Sequence, residues 1–149
     1  RTLVESGQVV IACGGGGIPV MRRGNHLKGA SAVIDKDFAS ELMAENLDAD
    51  YLIILTAVEK VAIQFGKPDE QWLDDMTTTE AQRYIQEGQF APGSMLPKVQ
   101  AAVRFAESKP GRCWACCWCR LSSPCWKRQK TAFLEKQGRV SIRDKEAVL

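Results

Sequence analysis

The chain has 149 residues, 45% of them hydrophobic and 26% charged, with a formal net charge of +2. Those totals fit one ordinary globular domain or a piece of a larger one. They create no long-range field that calls for nucleic acid or a membrane as partner, and no apolar run approaches the ~20 residues of a bilayer-crossing helix.

From the amino terminus, QVVIAC (residues 8–13) is a short β-branched apolar run that ends in Gly14, Gly15, Gly16 and Gly17. Such a run, without polar alternation, predicts a strand buried on both faces of a parallel sheet. RRGNHLKG follows, with the chain's one histidine, His26, and predicts a polar surface loop. Val33 and Ile34 predict a shorter strand before Asp35, Lys36 and Asp37. KDFASELMAENLDAD (36–50) predicts a helix whose apolar face carries Phe38, Ala39, Leu42, Met43 and Leu47. YLIILT (51–56) repeats the buried-strand pattern, KVAIQF (60–65) predicts a short partner strand, and GKPDE (66–70) a turn. Thr77, Thr78 and Thr79 with Glu80 supply caps and an acidic first turn for a helix through Gln86, which Gly88 ends. A last helix runs from about Met95 to Ala106, with Pro97 tolerated in its first turn.

Strands this apolar, alternating with helices, predict an α/β fold: a three-layer αβα stack on a mainly parallel, open sheet. Ligands of such sheets bind beyond the carboxyl ends of the strands. The glycine run, the Asp35–Asp37 trio and Thr56 all fall at such ends.

Each of these segments admits a chemical reading and a plainer one. Gly14–Gly17 can bring backbone amides close to a phosphate or carboxylate, or can simply make a tight turn. Asp35-Lys36-Asp37 sets a cation between two carboxylates, as phosphoryl transfer requires, or is a helix cap beside a solvated lysine. Lys98 lies in the first turn of a helix, against the helix dipole, which suits an anionic ligand or a lysine in water. A single histidine leaves no second base for a nucleophile pair, and no His/Cys cluster of metal spacing precedes residue 113.

Four segments in order, RTLVESGQVVIACGGGGIPV, AVIDKDFASELMAENLDADYLIILTAVEKVAI, FGKPDEQWLDDMT and EGQFAPGSMLPKVQAAVRFAES, resemble carbamate kinase, of the amino-acid kinase family. The resemblance is nearly continuous from Arg1 to about Gly111. It implies the carboxyl-side two thirds of such an enzyme, without the amino-terminal half, and a sheet of the amino-acid kinase type. It also implies a kinase acting on a carboxyl-group acceptor, with reversible transfer of phosphate between ADP or ATP and carbamoyl phosphate or carbamate. Magnesium accompanies the nucleotide. Lys36, Asp37 and Lys98 would surround the transferred phosphoryl group. Gly14, Gly15, Gly16 and Gly17 would face the acceptor, and Ala57, Val58, Lys60, Val61, Met95 and Pro97 would line the nucleotide. A cytoplasmic setting in arginine metabolism and a homodimeric full-length form go with the family. Without the amino-terminal half, the chain alone is expected to bind nucleotide weakly and not to turn over. Another amino-acid kinase, or a non-catalytic nucleotide- or zinc-binding protein, is the alternative.

The resemblance stops before Cys113, Cys116, Cys117, Cys119 and Cys125, which crowd together with Trp114, Trp118 and Trp126. Cysteine and tryptophan codons all begin with TG, so a frame slip near Gly111–Arg112 turns an apolar run into such a cluster. A zinc module is the rival reading, although adjacent Cys116-Cys117 and the lack of a downstream histidine depart from the usual paired ligands. The chain is therefore expected to divide into a nucleotide-binding part, 1–111, and a poorly ordered tail, 112–149.

Overall fold

A computed structural model describes residues 1–58 and 60–109, together with the two strands at Cys113–Cys116 and Glu146–Val148. In chain order the elements are α1 (Thr2–Glu5), β1 (Val20–Arg23), β2 (His26–Gly29), α2 (Lys36–Asn46), β3 (Tyr51–Ile54) and β4 (Val61–Ile63). There follow β5 (Gln71–Leu73), α3 (Thr78–Gln86), α4 (Met95–Ser108), β6 (Cys113–Cys116) and β7 (Glu146–Val148).

Local chemistry explains the helix ends. Asp35 caps α2, its carboxylate accepting from the Asp37 amide at 2.8 Å. At the other end the Ala49 amide bonds the Ala44 carbonyl and the Asp48 amide the Glu45 carbonyl, with Asp48 at φ +56. That pair of bonds is a Schellman stop, with aspartate where glycine is usual. The same pattern ends α3, where Gly88 sits at φ +68 and the Gln89 amide bonds the Tyr84 carbonyl. Its start is a full capping box, Thr77 and Glu80 each satisfying the other's backbone amide.

α4 is the central element. Ala101 and Phe105 join Ala44, Ala49, Leu52 and Ile54 in one cluster, against which Phe38 packs. Val99 and Val103 join Val61, Ala81 and Phe90 in a second. Pairs one turn apart on one helix thus face two different cores.

The expected architecture needs correction. The strands form three small, separate sheets in a largely helical fold, not the mainly parallel open sheet of a three-layer αβα stack. Two of them are antiparallel hairpins, β1–β2 and β4–β5; only β6, β3 and β7 run parallel, with β3 in the middle. The reason lies in the apolar runs that were to supply the other strands. Residues 8–13 join no ladder, with Val9 77% and Ile11 97% exposed, and Val33 is 95% exposed outside any strand. An apolar run becomes a buried strand only where neighbours pair with it and cover it, and none of the described residues does so here.

Two further expectations change. RRGNHLKG is a hairpin, its strands joined by Gly24-Asn25 with Gly24 at φ +58. The buried face of α2 carries Asp37, Ser40, Glu41 and Ala44, whereas Leu42 is exposed. No helix among the described residues is long and apolar enough to cross a membrane. The readings of the Cys/Trp-rich tail as a frame slip, a zinc module or a poorly ordered segment fall mainly on residues outside those described.

Candidate functional site

The buried face of α2 is polar where it meets the start of α4. Asp37 is 6% exposed, and a carboxylate buried in that way needs a hydrogen-bonding partner. Its partner is Lys98, whose Nζ donates to both carboxylate oxygens at 2.9 and 3.1 Å. The lysine side chain keeps a fifth of its surface open to solvent. Two of its three N–H donors serve Asp37; a third is left for an incoming oxygen.

Lys36 opens α2 beside Asp37 and is exposed. The Lys36–Asp37 step and Lys98, expected to act together, thus meet through the Asp37–Lys98 pair. No acidic residue occupies the first turn of α4, and Ser94 makes no side-chain capping bond there.

The glycine run reaches the same place through the residue before the cap. Gly16 is buried at φ +82, and a Cβ built on it would lie 2.2 Å from the Ile34 carbonyl oxygen. Only glycine permits that approach. The turn is closed by the Gly16 amide on the Cys13 carbonyl at 2.8 Å, and Cys13 Sγ lies 3.4 Å from Met43 Sδ on α2. Gly14, Gly15 and Gly17 are exposed, next to the segment that leads into Asp35.

The six residues expected around a nucleotide divide. Met95 and Pro97 are half-buried in the first turn of α4, flanking Lys98. Val61 is buried in the same cluster as Met95. Val58 is half-buried, and its carbonyl accepts from Thr56 Oγ1 at 2.9 Å; Ala57 is exposed. Lys60 is paired with Asp74, across the β4–β5 hairpin. Among the described residues no group of three or more His, Cys, Asp or Glu side chains is placed to hold a metal ion.

Sequence reasoning passed over Ser40 and Glu41, which share the buried face of α2 with Asp37. The signal lay in DFASE, where a hydroxyl and a second carboxylate follow Asp37 by three and four positions. Ser40 Oγ is buried and has no hydrogen-bond partner among the described residues.

The sequence profile of the amino acid kinase family matches residues 1–114. Over 112 residues the chain is 68% identical to the carbamate kinase-like protein YqeA of Escherichia coli K12, covering 75% of this chain and 36% of that one. Over 108 residues it is 59% identical to the carbamate kinase of Clostridium perfringens, covering 72% of this chain and 34% of the relative. In three dimensions it resembles the carbamate kinase of Giardia lamblia bound to AMP-PNP, with a TM-score of 0.74 and 33% identity over 99% of this chain and 47% of the other.

The chain spans about a third of the length of the curated relatives it matches. The expectation of a carboxyl-side portion, two thirds of an enzyme, is corrected accordingly. The similarity occupies the amino-terminal region of this chain, residues 1–114. The glycine run, the Asp-Lys-Asp step and the lysine of α4 all precede residue 114, and most of the Cys- and Trp-rich stretch, from Cys116 on, follows it.

Proposed function

The chain belongs to the amino acid kinase family, and from that premise we propose a phosphotransferase of carbamate kinase type. Its reaction is the reversible transfer of phosphate between ADP or ATP, carrying magnesium, and carbamoyl phosphate or carbamate. The observation that carries the reading is the Lys98 ammonium, held by the buried carboxylate of Asp37 at the point where exposed Lys36 opens α2. Phosphoryl transfer asks little covalent chemistry of a protein and much positioned positive charge. Lys36 and Lys98 supply the charge, and Asp37 orients Lys98 between catalytic events.

In this mechanism the transferred phosphoryl group lies between the two lysines, with the Gly14–Gly17 turn beside it on the acceptor side. Ala57, Val58, Lys60, Val61, Met95 and Pro97 border the nucleotide, from the segment that leads into β4 and from the start of α4. The same reading carries with it a cytoplasmic place in arginine metabolism and assembly as a homodimer. The nucleotide-binding part is residues 1–111. The chain covers about a third of its curated relatives, and one well-placed donor is worth roughly 3 kcal/mol to the transition state. The chain by itself is therefore expected to bind nucleotide without turning over.

Calorimetric titration of the 149-residue chain with MgADP tests the reading, beside a coupled assay of ATP formation from carbamoyl phosphate. Binding that Lys98→Met abolishes, with ATP formation at background, is the expected result. Absence of MgADP binding, or binding indifferent to Lys98→Met, overturns the site.

A further inference from the structure

Ser40 is 3% exposed, and its hydroxyl has no partner among the described residues. A serine inside a helix ordinarily turns outward to water or bonds a carbonyl one turn back; this one does neither. It lies on the same helix face as Asp37, three positions on. Helical side chains lean toward the amino terminus, so a residue at this spacing covers the one a turn before it.

Asp37 has all its side-chain bonding invested in Lys98, from α4. Any anion that draws the ammonium away leaves a buried carboxylate unpaired, which is costly. A hydroxyl one turn away can offset that loss by donating to the abandoned oxygen.

We propose that Ser40 is a positioning residue that takes over the Asp37 carboxylate when Lys98 turns toward a bound phosphate group. The device deepens the kinase reading and rests on it for the identity of the anion. Lys98 is thereby held in one state and released in the other without leaving Asp37 stranded in either.

Four forms of the chain test this: wild type, Ser40→Ala, Lys98→Met and the double variant, each followed by thermal unfolding and MgADP titration. With Lys98 in place, Ser40→Ala removes an unpartnered hydroxyl, so the unfolding midpoint holds or rises. MgADP affinity falls roughly tenfold, as for loss of a hydrogen bond to a charged group. In the Lys98→Met background Asp37 already depends on Ser40, so the sign reverses: Ser40→Ala lowers the midpoint. A merely structural serine would lower the midpoint in both backgrounds and leave MgADP affinity alone, and that result overturns the proposal.

Should Lys98→Met not fold, the single variant still decides, because Ser40→Thr keeps the hydroxyl and has to restore MgADP affinity. If the wild type binds no MgADP the kinase reading fails, while the reversal of sign in the unfolding midpoints continues to judge Ser40 separately.

Discussion

Lys98 donates from its Nζ to both carboxylate oxygens of Asp37, a residue 61 positions earlier in the chain, at 2.9 and 3.1 Å. A second pair with the same separation joins Lys109 to Asp48 at 2.9 and 3.0 Å. Asp37 stands in the first turn of α2 and Lys98 in the first turn of α4; Asp48 and Lys109 lie just past the far ends. The two helices therefore run side by side in the same direction, tied at both ends, with Ala44, Ala101 and Phe105 packed in the cluster they share.

The two ties differ in burial, and so in consequence. The side chains of Lys98 and Asp37 are 20% and 8% exposed, against 56% and 45% for Lys109 and Asp48. Lys98→Met strands a buried carboxylate and is expected to destabilise the fold by about 3 kcal/mol, whereas Lys109→Met costs less than about 1 kcal/mol. Adding Asp37→Leu to Lys98→Met is expected to recover most of the loss. Urea unfolding of the variants checks the ranking, and equal costs at the two ties would contradict it.

Asp48 has a second role, since its φ of +56 closes the Schellman stop of α2. Asp48→Ala loses the exposed ion pair and puts a Cβ without compensating polarity in the left-handed region, at a cost of about 1–2 kcal/mol. Asp48→Gly loses the pair but relieves the backbone, and is expected to stay within about 0.5 kcal/mol of the parent. Comparison of the two unfolding midpoints separates backbone strain from charge.

Gly16 and its neighbours allow a sharper contrast. Gly16→Ala drives a methyl group into the Ile34 carbonyl at a position already at φ +82. The turn has to move away from Asp35, at an expected cost of 2 kcal/mol or more, on the order of an overpacked core site. A Cβ on Gly14 or Gly15 meets nothing within 4 Å, so alanine there is expected to change stability by less than about 0.5 kcal/mol. Urea unfolding of Gly16→Ala beside Gly14→Ala checks the contrast, and equal costs at the two positions would contradict it.

Acid reaches α3 through its cap. The Glu80 carboxyl is held below its usual range, first by the Thr77 backbone amide and then by the Thr77 hydroxyl. A carboxyl with a folded pKa below its unfolded one stabilises the fold above the unfolded value and loses that contribution as pH falls through the folded one. Helix α3 is therefore expected to fray at its amino end below pH 4.5, the ordinary value for this group. Glu80→Gln is expected to remove that pH dependence, read from amide exchange of residues 78–81 between pH 6 and pH 3.

Much of the local structure was legible from neighbours in sequence. The caps at Asp35 and Thr77, the stop at Gly88, the strand at Tyr51–Ile54 and the helix from Met95 each follow from residues within one or two turns. The two-residue Gly24-Asn25 connection is a hairpin signal in the sequence, set within a polar stretch that otherwise resembles a surface loop.

Burial was not legible in the same way. QVVIAC and YLIILT have one pattern, yet Leu52 is fully buried in β3 while Ile11 lies open to solvent. Of the apolar face expected on α2, Phe38 packs against the core while Leu42 is exposed, because the helix turns Asp37, Ser40 and Glu41 inward beside α4. Hydrogen bonds and periodicity act over three or four residues, so the sequence by itself determined caps, stops and helix phases. Which face met a partner, and that Asp37 found Lys98 across 61 positions, only the tertiary structure decided, since desolvation depends on what the rest of the chain brings near.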